Sequence, residues 1–529
     1  MLRARRWFAE EGVLPKSFLQ KKSSATRCGD MLKGCSHDVI MMGIQKSEAQ
    51  LFNYAVNLEK RVRINHPLRR VKAVVDFSFV REEVAHRYGH KGNESVPPEV
   101  IMKMMFLLFF DDIKSERELM EVIAERLDYL WFLDYGLDEK VPDHSVLSKA
   151  RARWGKEVFE SLFVRTVAQC VEAGLVEGSK LHVDASLIEA NASKESVIQG
   201  ASELIAALKR AYCATESKLE ATNTAANYQM INDRMMSLSD PDASLMRKGS
   251  GGGSRPRYQN HRAIDDGKGV ITATLSTPGS IAENKKLMEL VDQHERNTGG
   301  AAQTVVADHK YGTSENYVAC QERGIKTHLG DAFAKSQRGR ERTIFSDAKF
   351  VYDEKRDTYR CPAGQILRPG KVHPIRHTRQ YRASPRACAA CVLRAQCTHS
   401  SSGRTVHRHE KQALLNRARE QAHSAAARRD RARRHYLIEG SFADATNNHH
   451  FKRARWRRLW RQQIQDYLIA AIQNVRILLA HQNPKRSAAK ALRAPEKLVL
   501  NCLGRMHPCI EMLHTNLAKL LRLAFIAPA

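Results

Sequence analysis

Two short apolar runs that each end on an aspartate constrain this chain more than any other feature. In Lys180-Leu-His-Val-Asp184, Leu181 and Val183 alternate with His182 and Asp184, the two-residue period of a strand with one buried face. Thr304-Val-Val-Ala-Asp308 repeats the design. Aspartate has low strand propensity, and a charge beside a buried strand costs free energy unless it is paired or binds a cation. Taken alone, Asp184 reads most simply as a turn or cap residue before Ser186 at the end of its strand. Two strands that each deliver an aspartate at the C-terminal end instead suggest carboxylates converging on a metal ion.

The segments around these strands have α/β order. His261–Asp265 and Val270–Leu275 flank Asp266-Gly-Lys-Gly269, a hairpin signal. A helix over 282–295 is expected before the strand ending in Asp308, a helix over 314–323 after it, then a strand over 325–329. A mixed sheet with acids at its strand ends is the plan of the ribonuclease-H-like nucleases. The polar stretch Ser196–Ser239 reads as helical, and Lys248-Gly-Ser-Gly-Gly-Gly-Ser254 as a linker, since no Gly-Lys-Ser/Thr follows to make a phosphate loop.

Upstream the pattern is helical. Pro97-Pro98 suits a helix start, and Ile101–Phe110 is too short and too interrupted by Lys103 to span a membrane, so it reads as a core helix. Ser115 ahead of Glu116 and Glu118 caps a second helix, and Val146, Leu147 and Ala150 mark a third with Lys149, Arg151 and Arg153 outside. A helix-turn-helix-like DNA reader and a plain helical bundle with solvated cations fit this region equally.

Lysine and arginine number 86 against 58 aspartates and glutamates, a formal net charge of +28. Such a field favours a polyanion held through phosphate contacts, with an anionic membrane surface or the ribosome as competing partners. No run approaches the roughly 20 apolar residues of a spanning helix. Eleven cysteines without an export signal point to reduced thiols. Cys361, the pair Cys388-Ala-Ala-Cys391, and Cys397 lie in a basic stretch with Arg376, Arg379, Arg382, Arg386 and Arg394. They supply either a closed Zn²⁺ site or reduced structural thiols, and His373 or His399 can replace a ligand.

His182-Val-Asp184-Ala-Ser, Glu189-Ala-Asn191-Ala-Ser, Ala307-Asp308-His-Lys-Tyr311-Gly-Thr-Ser314 and Pro142-Asp-His-Ser145 together resemble bacterial insertion-sequence transposases of the DDE class. The resemblance runs over about residues 60 to 482. It implies a ribonuclease-H-like mixed sheet with an N-terminal helical DNA-binding domain and a cysteine-containing insertion. The implied division is 1–65, a weakly patterned extension; 66–175, the helical domain; 176–331, the first part of the catalytic core; 332–430, the insertion; 431–483, the last part of the core; and 484–529, a tail. Implied too are Mg²⁺ or Mn²⁺ at the acids, two-metal cutting of element ends, joining of the 3′-hydroxyls to target DNA, a homodimer in the synaptic complex and a cytoplasmic, nucleoid-associated location.

Such chemistry needs a third carboxylate, and the choice among Glu410, Glu420, Asp430, Glu439 and Asp444 falls on Glu439, because Tyr436–Ala445 resembles the family's glutamate-bearing segment. Read locally, Glu439 is a surface residue pairing with Arg434 or His435. Asp184, Asp308 and Glu439 are thus the expected catalytic and metal-binding set. Arg434, Lys452, Arg453, Arg455, Arg457, Lys149 and Arg153 are the expected DNA contacts. Trp456 and Trp460 read as core rather than base-stacking residues, and Tyr467–Leu479 as an amphipathic helix closing the core. The pattern departs from the family at His435 and Thr446, where arginine and lysine are expected, and at His450 and Arg458, where glycines are expected. These departures keep two alternatives open: a catalytically impaired DNA-binding derivative, and a nuclease of the same fold without strand transfer.

Overall fold

The computed structural model describes residues 56–88, 95–219, 235–247, 254–331 and 344–482. They belong to a compact unit, Val56–Ala529. The residues read as a linker at 248–253, most of the N-terminal extension and the tail 484–529 lie outside the described residues. Among the described residues, no helix is long and apolar enough to cross a membrane.

The chain opens with α1 (Leu58–Arg61), α2 (Pro67–Val74), α3 (Phe79–Val84), α4 (Pro98–Phe110), α5 (Glu116–Glu125), α6 (Leu127–Leu133), α7 (Ser145–Trp154) and α8 (Glu157–Glu172). α4 starts where proline is tolerated because its missing N–H is unneeded there. Its side chains are buried nearly all round, as expected for a helix without a polar face. Ser115 caps α5, its hydroxyl accepting from the Glu118 amide at 3.1 Å.

Next come β1 (Lys180–Glu189), β2 (Val197–Gln199), α9 (Ser202–Leu219), β3 (Met235–Ser237), β4 (Ser244–Arg247), β5 (Ser254–Asp265), β6 (Ile271–Pro278), α10 (Leu287–Thr298), β7 (Thr304–Ala307), α11 (Ser314–Glu322) and β8 (Lys326–Leu329). β1 is central, antiparallel to β5 and parallel to β7; β8 extends the sheet beyond β7, and β4 and β6 both pair with β5. The expected hairpin is β5–β6. The stretch expected to be helical over 196–239 instead carries the short pair β2–β3 around α9, with residues 220–234 outside the described residues. Val197 and Ile198, β-branched neighbours, favour the extended start.

A separate antiparallel sheet follows, from β9 (Val351–Asp353), β10 (Thr358–Arg360), β11 (Ile366–His373), β12 (Thr378–Arg382) and β13 (Thr405–His409), with α12 (Pro385–Ala389) and α13 (Arg394–Cys397) before its last strand. It has its own small core of Phe350, Tyr359, Leu367, Tyr381 and Val406. The chain then returns to the main sheet through α14 (Gln412–His423), α15 (Ala425–Asn448) and α16 (Leu459–His481).

Two cores lie on the two faces of the main sheet. Leu181, Val183, Val305 and Ala307 pack with α10, α11 and α14. Ile188, Tyr258 and Ile264 pack with α15, α16 and the N-terminal helices. Expected to be amphipathic, α16 is instead buried on nearly every side from Gln462 to Val475. It is wedged between α4 and α8 on one side and β6 on the other, which leaves it no solvent face. Its polar residues are satisfied internally: the Asn474 side chain accepts from the Ile271 amide and donates to the Ile271 carbonyl, both at 2.9 Å.

Candidate active site at the strand ends

Lys180, Leu181 and His182 of β1 stand beside Thr304, Val305 and Val306 of β7. Two residues past the last paired position on each strand come Asp184 and Asp308, both near enough to Glu283, Lys310 and Tyr311 to act on their charges. Asp184 is not at the end of its strand, as the alternation suggested; β1 runs on to Glu189 by pairing with β5. Only its partnership with β7 stops at His182, so Asp184 sits where the sheet opens.

Asp308 leaves β7 with extended backbone (φ −74°, ψ −177°) and caps the 3-10 turn His309–Tyr311, its Oδ1 accepting from the Lys310 amide at 2.9 Å. That turn lies against the end of β8. A Cβ built on Gly312 would stand 1.8 Å from the Gly330 carbonyl oxygen, and one on Gly330 would stand 2.6 Å from the His309 nitrogen. Two glycines thus set the height of the loop that carries Asp308.

A third acid joins them that the sequence reading missed. Glu283 lies in a 3-10 turn just ahead of α10. Its Oε1 accepts from Lys310 Nζ at 2.8 Å and from Gln259 Nε2 at 3.0 Å, while its buried Oε2 has no hydrogen-bond partner. Burial pushes its carboxyl above the usual carboxylate range; Lys310 opposes the shift and the charges of Asp184 and Asp308 add to it. Burial works against the charge of Lys310, but Glu283, Asp308 and Asp184 outweigh it and raise its pKa. Tyr311 is fully buried with an unpartnered hydroxyl, held well above the ordinary tyrosine range by burial and then by Asp184, Glu283 and Asp308. The side chains of Asp184, Asp308 and Glu283 remain 24%, 21% and 15% exposed, so solvent and small ions reach all three.

α15 crosses the same face. Asp430 pairs with Lys180 at 3.0 Å and His328 at 2.6 Å, Arg433 with Asp266 at 2.6 Å, and Arg434 with Asp184 at 2.6 Å. Further along, Ser441 accepts from Arg262 at 2.9 Å. Arg262, fully buried, also donates to Asn260 and Gln473 and so ties β5, α15 and α16 together. One turn beyond Arg434 the inward position is taken by the buried Ile438. Glu439 is the next residue round the helix. It is 65% exposed and pairs with His435 at 3.0 Å, the local alternative raised from the sequence.

The basic residues divide. Arg434 is held by Asp184. The Lys452 amine donates to Ser186, two residues along β1 from Asp184 on the same face, and the backbone of the 452–454 segment bonds to Glu189. Arg453 and Arg457 are exposed beside it. Arg455, expected at a DNA surface, is instead turned inward, 6% exposed, stacked on Phe109 and bonded to the Ile113 carbonyl. Trp456 packs edge-on to Phe109, a core role. Lys149 and Arg153 are exposed on α7, with Arg153 over Tyr88, whereas Arg151 is buried against Glu116. At the two positions where glycine was expected the backbone does enter the left-handed region, His450 at φ 53° and Arg458 at φ 84°.

Cys361, Cys388, Cys391 and Cys397, all free thiols, line one cavity of about 20 Å³ beside the second sheet. The Cys361 sulfur accepts from the Gln365 amide at 3.2 Å. Burial raises the Cys397 thiol; Arg404 opposes this and the other three cysteines add to it. Among the described residues, no group of three or more His, Cys, Asp or Glu is arranged to hold a metal ion as its side chains stand. At the strand ends, Arg434 is bonded to Asp184 and Lys310 to Glu283.

Two stretches match family models, a transposase domain (DUF772) over residues 56–153 and a transposase DDE domain over 360–479. Both families are transposases. The likeness to transposases is thereby borne out for the helical region, and the likeness to the DDE class for the segment running from the cysteines through α15 and α16. Asp184, Glu283 and Asp308 lie between the two matches. The comparison with curated proteins finds no match.

Similar solved structures include a Mos1 transposase paired-end complex with left transposon end (12% identity, 47% of this chain and 64% of that one, TM-score 0.15). Others are a Mos1 mariner paired-end complex with Mn (10%, 45% and 60%, TM-score 0.14) and a piggyBac transposase synaptic complex with hairpin DNA (9%, 80% and 82%, TM-score 0.21).

Proposed function

We propose that this protein is a DNA transposase with a ribonuclease-H-like catalytic core, cutting the ends of an insertion element and joining the 3′-hydroxyls to target DNA. The observation that carries the reading is the gathering of Asp184 and Asp308, each two residues past the last paired position of parallel β1 and β7, around Glu283, Lys310 and Tyr311, beside transposase-family matches on either side. The strand order β6-β5-β1-β7-β8, with only β5 reversed against its neighbours, supports the ribonuclease-H-like assignment.

Asp184 and Asp308 would hold Mg²⁺ or Mn²⁺; the resemblance names Glu439 as the third carboxylate, and its side chain, turned to His435 on the flank of α15, would have to swing inward to join them. The oxygen donors suit these hard cations, and the orphaned buried oxygens of Glu283 and Tyr311 fit a site built for a bound group. Divalent ions at such a site supply charge neutralisation at the phosphate and activation of the attacking oxygen. The chain's own residues do the rest. Arg434 neutralises Asp184 until the site is loaded, and is then free to meet a phosphate. Lys452, beside Ser186 on the same face, stands in for the lysine missing at Thr446, and Arg453 and Arg457 extend the cationic track. The active species is a homodimer that brings two element ends together.

The four cysteines, which line one small cavity, are proposed to turn toward one another and close on one structural Zn²⁺, an ion that four thiolates suit chemically. Zinc content near one ion per chain, lost on Cys388→Ser, is the expected result.

The outward side chain of Glu439 favours one second reading, a DNA-binding derivative that no longer cuts. A joining assay decides between them. With a pre-cut 3′ end and Mn²⁺, the transposase reading expects strand-transfer products; DNA binding without products favours the derivative, and cutting without joining favours a nuclease of the same fold.

A further inference from the structure

We propose that Glu283 is a further ligand of the divalent-ion site formed by Asp184 and Asp308. The inference rests on the transposase reading for the identity of the ion, and on the geometry of this chain for the residue.

Glu283 comes to the strand ends from a different element than either aspartate, the turn between β6 and α10. Lys310 ties it to the Asp308 loop: the lysine side chain donates to Glu283 Oε1 at 2.8 Å, and its backbone amide donates to Asp308 Oδ1 at 2.9 Å. With Oε1 taken by Lys310 and Gln259, the second oxygen is left buried and without a donor. A carboxylate oxygen in that state is expensive, and native interiors leave few of them. Beside it stands a second orphan. The Tyr311 hydroxyl belongs to a fully buried side chain, faces the charges of Asp184, Glu283 and Asp308, and bonds to none of them. Two buried oxygens without hydrogen-bond partners next to two half-open aspartates form a set of groups suited to a bound cation. A hydrated divalent cation satisfies both kinds of group: carboxylate oxygens ligate it, and a hydroxyl donates to or accepts from its water.

The alternative is that Glu283 serves only as a structural partner of Lys310. The two roles separate on measurements that do not need turnover. The probe is Mn²⁺ alone, titrated into the full chain by calorimetry, with Glu283→Gln, Asp184→Asn and, as a control, Glu289→Gln, an exposed glutamate on α10. Glu283→Gln and Asp184→Asn are each expected to weaken Mn²⁺ binding roughly tenfold or more, since even outer partners of metal ligands contribute that much. Glu289→Gln leaves binding unchanged. If Asp184→Asn weakens binding and Glu283→Gln does not, the proposal is overturned while the acidic site stands. If neither weakens it, the metal-site reading itself fails. Without metal, Glu283→Gln is expected to leave the unfolding midpoint unchanged or higher, because it removes a buried charge crowded by two others. A fall in midpoint equal to that of Lys310→Met would assign Glu283 the structural role instead.

Discussion

The strand acids and the helix acid of the candidate site behave differently. Asp184 is held in β1 by its antiparallel pairing with Arg262 of β5, and Asp308 follows directly on β7 as the cap of the 3-10 turn, so strand register governs where both stand. Glu439 rides on α15, where a step of one residue turns a side chain by about 100°. The face of α15 toward the sheet is pinned by Asp430, Arg434, Ile438 and Ser441. Glu439 falls on the flank beside His435. A sheet therefore carries acids to a site rigidly, whereas a helix delivers them only as well as its inward stripe is chosen. Glu283 fits the same contrast, since it hangs from the turn that follows a strand and shares Lys310 with Asp308.

The contrast can be broken by experiment. The largest effect is expected at the pins of α15. Arg262→Ala leaves Asn260, Ser441 and Gln473 without their buried donor and should cost about 3 kcal/mol or more in urea unfolding. Gly330→Ala drives a Cβ into the His309 backbone; about 1–3 kcal/mol of stability is expected to go, together with most metal affinity, because the Asp308 loop must lift. A smaller gain is expected at exposed His450, where glycine relieves the left-handed backbone and should stabilise by about 1 kcal/mol in the same assay. Glu439→Gln is expected to shift stability by no more than about 0.5 kcal/mol, as for an exposed ion pair. A loss as large as that of Arg262→Ala would mean that Glu439 is buried in a partner the folded chain does not display.

The strands β1 and β7 were legible because alternation and apolar runs encode strands directly, although β1 runs on past Asp184 to Glu189. The hairpin β5–β6, the capped α5 and the buried α4 were legible for the same reason: their signals are local. What escaped depends on tertiary context. The polarity of Glu283 and Lys310 reads as an ordinary helix start, and nothing within Ala282–Glu295 reveals that the turn meets the end of β7. Arg455 looked like part of a basic track because charge runs are read along the chain; its neighbour Ala454 bonds to Glu189, and the next side chain is turned onto Phe109. The burial of α16 was hidden likewise, since its glutamines are polar letters whose partners lie on β6 and in the segment before the helix.

The central claim is that Asp184 and Asp308 together carry metal-dependent chemistry on DNA. The direct measurement compares the full chain with Asp184→Asn and Asp308→Asn for Mn²⁺-dependent cleavage of DNA bearing the element's ends, alongside binding of the same DNA. Transition-state stabilisation worth several kcal/mol should disappear, a loss on the order of a thousandfold or more in either variant, with DNA binding retained. Cleavage that survives either substitution at close to the original rate contradicts the account.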